Sequence, residues 1–276
     1  MSYHRPHALA DALDIAATPA ITVVAGGTDV YPAARQGRPF GTILDITRVQ
    51  GLTGITQDDG GTRIGAATSW SDLVRADLPP AFDGLKCAAR QVGSVQIQNA
   101  ATLAGNLCNA SPAADGVPPL LTLDASVEVA SAARGSRRIP LGDFIRGVRQ
   151  TALAPDELLT AIHIPQPPEG AGSCFEKLGS RRYLVISIAM VSALVAVDGN
   201  GRITHARIAA GSCSAVAQRL PALEAACLGQ RPHDITVNSD HLAPLSPIDD
   251  VRGSAAYRRD AVATLCQRAI ARSVPA

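Results

Sequence analysis

The sequence has no long apolar run. Nothing in its 276 residues approaches the roughly 20 consecutive apolar positions of a membrane-spanning helix, so no membrane partner is expected. The stretch from Met1 to Pro6 puts no apolar segment behind its basic residue, and a cytoplasmic location is the expectation. Charge of one sign is not in excess either: 25 Lys plus Arg stand against 24 Asp plus Glu, which leaves no basic field for a phosphate backbone. Aromatics are scarce, with one Trp, four Tyr and four Phe to stack on bases, and nucleic acid is not an expected partner. The cysteines Cys87, Cys108, Cys174, Cys213, Cys227 and Cys266 include no close pair. That spacing argues against a zinc knuckle or an iron–sulfur cluster within this chain; no metal site is assigned, and the thiols are expected reduced and mostly buried. The six histidines are dispersed, no Ser-His-Asp or paired-carboxylate arrangement stands out, and no catalytic side chain is assigned. No internal repeat is visible.

What is present is a hydrophobic content of 46%, ample for packed cores, in a chain long enough for two or three domains. The stretch from Thr102 to Pro119 stands out, because nearly every residue in it is small, polar or a turn former. Ser111 followed by Pro112 is a favoured N-cap and first helical position, which predicts a helix from near Pro112 that buries Val117, Leu120, Leu121 and Leu123. Its free N–H groups would point back toward Gly105 and Asn106, where a phosphate would be held; an ordinary capped helix after a tight turn is the alternative.

A second glycine loop lies near the start. Apolar spacing predicts a helix over 8–17, then a β-branched strand over 21–24 that runs into Ala25-Gly26-Gly27-Thr28-Asp29 and a helix to Arg35. Adjacent glycines let backbone N–H groups approach an anion, and the Thr28 hydroxyl can donate one more hydrogen bond. Asp29 is read as capping the following turn or accepting from a ligand hydroxyl. The pattern is neither a Rossmann fingerprint nor a P-loop. Further strands are predicted over 42–46, 51–55 and 62–66, and a helix capped at Ser69 or Ser71. Another helix over 82–92 ends at Gly93, and a hairpin covers 125–130 and 137–140. The proline- and glycine-rich segment 166–172 marks a domain border. Beyond it Lys177, Arg181 and Arg182 precede an apolar run from Leu184 to Val197, strands over 191–197 and 203–209, and helices over 217–226 and 254–272.

Together, Ala25 to Asp29, Thr102 to Asp115 and Lys177 to Arg182, in this order, resemble the FAD-binding medium subunit of the molybdenum hydroxylases, the xanthine dehydrogenase and carbon monoxide dehydrogenase family. The resemblance covers essentially the whole chain. It implies an α+β fold: a two-lobed FAD-binding region of the vanillyl-alcohol-oxidase (PCMH) type, with lobes over 1–56 and 57–170, and a smaller α+β C-terminal domain over 171–276. Carried over position by position, the FAD ligands would be Val23, Gly26, Gly27, Thr28, Asp29 and Val30 in the first loop. In the central loop they would be Thr102, Gly105, Asn106, Asn109 and Asp115. Leu159 matches a flavin-packing leucine and Lys177 a lysine beside the isoalloxazine; Arg181 and Arg182 carry less weight. Ala104 departs from the glycine of many relatives, and its methyl requires a negative φ there.

The resemblance further implies an electron-transfer role. A large partner subunit would carry the molybdopterin, a small one the 2Fe-2S clusters, and FAD on this chain would pass electrons to NAD or another acceptor, in a dimer of heterotrimers. Two other readings compete: a stand-alone flavin oxidase or dehydrogenase, and a flavin-free subunit that only docks partners.

Overall fold

The computed structural model describes residues 2–35 and 41–274; Met1, where the N-terminal stretch begins, lies outside them. The first sheet is three-stranded and parallel in the order β1-β3-β2, from β1 (Tyr3–His4), β2 (Ile21–Val24) and β3 (Thr42–Asp45). Helix α1 (Leu9–Ala16) turns Ala12 and Ala16 inward against Leu44 and Ile46 of this layer. Helix α2 (Val30–Arg35) follows the first glycine loop.

The second sheet is antiparallel. Its strands are β4 (Ile55–Asp58), β5 (Gly61–Gly65), β6 (Ser126–Ser131) and β7 (Gly135–Pro140), and a two-stranded hairpin of β8 (Ile145–Gly147) and β9 (Gln150–Thr151) follows them. The next strand, β10 (Leu158–Ile164), then inserts between β5 and β6, giving the order β4-β5-β10-β6-β7. Residues 51–53 form a turn, so the strand expected over 51–55 begins only at Ile55. Between β5 and β6 the chain folds into helices α3 (Trp70–Arg75), α4 (Asp83–Gln91), α5 (Val95–Ala100), α6 (Leu103–Asn109) and α7 (Val117–Thr122). A four-residue turn of helix, α8 (Leu141–Phe144), leads from β7 to β8. Ser69 closes a full capping box with Asp72 at the start of α3.

The third sheet is antiparallel in the order β11-β12-β13-β14, from β11 (Gly172–Leu178), β12 (Ala189–Val197), β13 (Ile203–Gly211) and β14 (Gln218–Arg219). Helices α9 (Pro221–Cys227) and α10 (Ala255–Arg272, capped by Ser254) cover it. The helix expected over 217–226 thus starts at Pro221, because Gln218 and Arg219 pair with Ala210 and Ala209 as an edge strand. Strand β12 is buried on both faces. Leu194 and Ala196 pack into the core shared with the second sheet, and Ala193 and Val195 into the core under α10, so alternation along one strand makes it the wall between two cores.

The cysteines are free, as expected, but only Cys213, Cys227 and Cys266 are buried; Cys87 and Cys174 are half-buried and Cys108 is exposed. No helix among the described residues is long and apolar enough to cross a membrane, and no cluster of metal-ligating side chains occurs among them.

Candidate functional site

The first glycine loop leaves β2 with Val23 exposed and Val24 buried, and Gly27 takes a left-handed φ of +67°. The carbonyls of Gly27 and Asp29 accept from Tyr31 N–H and Ala33 N–H, winding the loop directly into α2. Gly26 is the tight point. A Cβ there would lie 2.0 Å from Ala100 O and 2.6 Å from Ala101 Cα, so only glycine lets this loop lie flat against the chain entering α6. Asp29 is exposed and makes no side-chain hydrogen bond among the described residues; the capping role read for it is not seen.

The central stretch is more regular than its composition suggests. Thr102, not Ser111, is the N-cap: its Oγ1 accepts from Gly105 N–H at 3.0 Å, and Leu103, Ala104 and Leu107 turn into the core. Gly105, Asn106 and Asn109 therefore ride on one helix, with Asn106 and Asn109 a turn apart. Ala104 has the negative φ its methyl requires, and the helix closes at Ala110 in the left-handed conformation, φ +45°. Ser111 only closes a local turn onto Ala113 N–H, and the next helix waits until Val117, so the expected start near Pro112 does not occur.

The two loops, with one end of β10, enclose a cavity of about 440 Å³. Val23, Gly26, Gly27, Thr28, Asp29 and Val30 line one side, Thr102, Gly105, Asn106 and Asn109 another, and Leu159 the apolar floor. The volume falls in the ordinary range for small-molecule sites. Asp115 and Lys177 stand outside this wall and face each other: Lys177 Nζ is 2.6 Å from Asp115 Oδ2, and Ser187 Oγ donates to Asp115 Oδ1 at 2.7 Å. Burial pushes the Asp115 carboxyl above its ordinary value, against the pull of Lys177 and Ser187. Arg181 and Arg182 are exposed and also outside the wall; Arg181 donates to the Tyr183 and Leu184 carbonyls, and Arg182 lies 5.2 Å from the Tyr183 ring centroid.

Sequence reading missed Trp70 and Glu157. Trp70, the single Trp, stands beside the capping Ser69; it is buried and forms part of the wall. Glu157 gave no signal. Its carboxylate is gripped by Arg137, with Nε–Oε1 at 2.9 Å and Nη2–Oε2 at 2.8 Å, and also accepts from Ala154 N–H. Arg137 holds it below the usual carboxylate range, helped by the Ala154 N–H and Arg134. An acid in the wall is thereby neutralised from outside, and the cavity keeps its tolerance for an anion.

These features fit a dinucleotide with an anionic middle and flat ends. A Cβ-free contact, backbone N–H groups, a threonine hydroxyl and two carboxamides are groups of the kind that suit an anion, and Val92, Ile97, Leu158 and Leu159 offer apolar surface. Comparison with known proteins agrees. Residues 1–167 match the family described as FAD binding domain in molybdopterin dehydrogenase, and residues 174–273 the CO dehydrogenase flavoprotein C-terminal domain. The chain is 33% identical over 283 residues to the putative xanthine dehydrogenase FAD-binding subunit XdhB of Escherichia coli K12, covering 100% of this chain and 96% of that one. It is 31% identical to the nicotine 6-hydroxylase medium subunit of Paenarthrobacter nicotinovorans, over 97% of this chain and 95% of the relative. In structure it matches a chain of reconstituted CO dehydrogenase from Oligotropha carboxidovorans with a TM-score of 0.90 at 26% identity, covering 99% of this chain and 97% of that one. The chain therefore belongs to the family of FAD-binding medium subunits of the molybdenum hydroxylases, and is an oxidoreductase subunit.

Proposed function

We propose that this chain holds FAD across the cavity between its two glycine-bearing loops and serves as the flavin stage of a multi-subunit molybdenum hydroxylase. FAD, when bound, supplies the redox chemistry, and the chain supplies position and electrostatics. The Gly26 to Thr28 and Thr102 to Asn109 segments receive the phosphates, Leu159 packs the cofactor, and the Asp115–Lys177 pair, outside the cavity wall, holds the central motif against the third sheet. Electrons enter from 2Fe-2S clusters on a small partner subunit, supplied by a molybdopterin-bearing large subunit, and leave to NAD or another acceptor. The assembly is a dimer of heterotrimers in the cytoplasm. Within the chain the units are 1–56, 57–170 and 171–276.

The observation that carries this reading is the contact of Gly26 with Ala100 and Ala101, which joins the two loops into one cradle and admits no side chain. The visible spectrum of the purified full chain, with chromatographic identification of the molecule released on denaturation, tests it. Release of about one FAD per chain is expected. A colourless chain that also refuses added FAD favours the docking role, and steady substrate turnover by the chain alone favours the stand-alone oxidase.

A further inference from the structure

Two carboxamides face the cavity from α6, and in both the oxygen is already taken by a group that can only donate. Asn106 Oδ1 accepts from Gly116 N–H at 3.2 Å. Asn109 Oδ1 accepts from the guanidinium of Arg149, whose Nη1 also reaches the Asn109 carbonyl at 3.2 Å. A backbone N–H and a guanidinium have no acceptor to offer, so chemistry alone fixes which end of each amide is the oxygen. Each Nδ2, with no protein partner among the described residues, is left as the free end.

The backbone of Arg149 is itself held in place. It sits between β8 and β9 with a φ of +59°, and its N–H donates to the carbonyl of Ala110 at 2.9 Å. Ala110 itself, the end of α6, has a φ of +45°. Two non-glycine residues in the left-handed region are thus bonded to each other beside the cavity, an arrangement that costs conformational energy and that surrounding contacts must maintain.

We propose that Arg149 is a positioning residue: it fixes the Asn109 carboxamide with its NH2 toward the cavity, so that α6 offers the cofactor donors only. Arg149 does not line the cavity, and it acts through Asn109. The part of the ligand opposite must carry acceptors, and the phosphate oxygens of FAD have that chemistry. Without Arg149 the amide is free to turn over and present its oxygen to a phosphate. The inference rests on the FAD reading above.

The test compares binding of FAD and of riboflavin, which lacks the phosphates, to the full chain by flavin fluorescence. Arg149→Met is expected to weaken FAD about tenfold, the worth of one hydrogen bond to a charged group, and to leave riboflavin unchanged. Arg149→Lys retains FAD affinity, because an ammonium donates to the same oxygen. In an Asn109→Ala background, Arg149→Met costs nothing further. Full FAD affinity in Arg149→Met, a parallel loss of FAD and riboflavin, or an undiminished loss in the Asn109→Ala background overturns the inference and leaves the FAD reading intact. An unaltered chain that binds no FAD overturns both.

Discussion

Lys177 Nζ and Asp115 Oδ2 stand 2.6 Å apart although 62 residues separate them in sequence. The lysine comes from β11 and the aspartate from the turn before α7, so the contact ties the third sheet to the central motif. Both side chains are largely withdrawn from water, at 5% and 10% exposure, and neither charge has solvent to replace its partner.

Lys177→Met is therefore expected to destabilise the chain by about 3–5 kcal/mol, the usual cost of stranding one member of a buried pair. Urea denaturation measures it. Adding Asp115→Asn should restore much of the loss, because no uncompensated charge then remains; a double variant as unstable as the single one would refute this account.

Gly26→Ala should fold yet lose FAD. Its methyl must displace backbone at Ala100 and Ala101, not a flexible side chain. Gly105→Ala meets only Thr102 Oγ1, at 2.9 Å, and should cost about 1 kcal/mol through a weakened cap. Flavin content and melting temperature of the two variants separate the effects.

Acidification should loosen the cavity wall at Glu157. Arg137 lowers this carboxyl from its ordinary value of 4.5, so the unfolded chain binds the proton more readily than the folded one. The contribution to stability is complete above 4.5 and is lost as pH falls through the lower, folded-state value. Melting temperatures from about pH 6 to about pH 3 should show a shallower acid limb in Arg137→Met than in the parent.

Arg258 is expected to be a structural hub of the C-terminal sheet. It is buried, donates to the carbonyls of Ile188 and Ser212, and pairs with Asp250 at 2.7 Å. Ser212 N–H in turn bonds the carbonyl of Pro112 in the central motif. Arg258→Met should cost about 3 kcal/mol or more, since a carboxylate and two carbonyls each lose a donor. Chemical denaturation of this variant is the check, and a midpoint equal to that of the parent would contradict it.

Local chemistry wrote much of the fold into the sequence. The β-branched run Ile21–Val24, the box between Ser69 and Asp72 and the cap at Ser254 each act within a few residues, and each element formed where it was expected. That the first loop and most of the central motif line one cavity is a tertiary relationship, which the family resemblance implied and no local spacing could show. Helix α6 was illegible: Thr102 to Asn109 has poor intrinsic helix character, and burial of Leu103 and Leu107 holds its short turns together. Strand β14 was hidden because pairing with Ala209 and Ala210 overrides a helical pattern. The grip of Arg149 on Asn109 spans 40 residues, and no spacing rule reaches that far.

The insertion of β10 between β5 and β6 also sets a timetable. This strand supplies Leu158 and Leu159 to the cavity, and one of its neighbours in the sheet, β5, lies far earlier in the chain, as in the pairing of Ala161 with Gly65. During synthesis, both loops leave the ribosome well before the strand that gives them a floor. A nascent chain halted short of Leu158 holds both glycine-bearing loops with an open gap in its middle sheet, and such a sheet has two unpaired inner edges. The cavity is consequently completed late in the life of each new polypeptide, and the interval before that is when the chain is most exposed to misassociation.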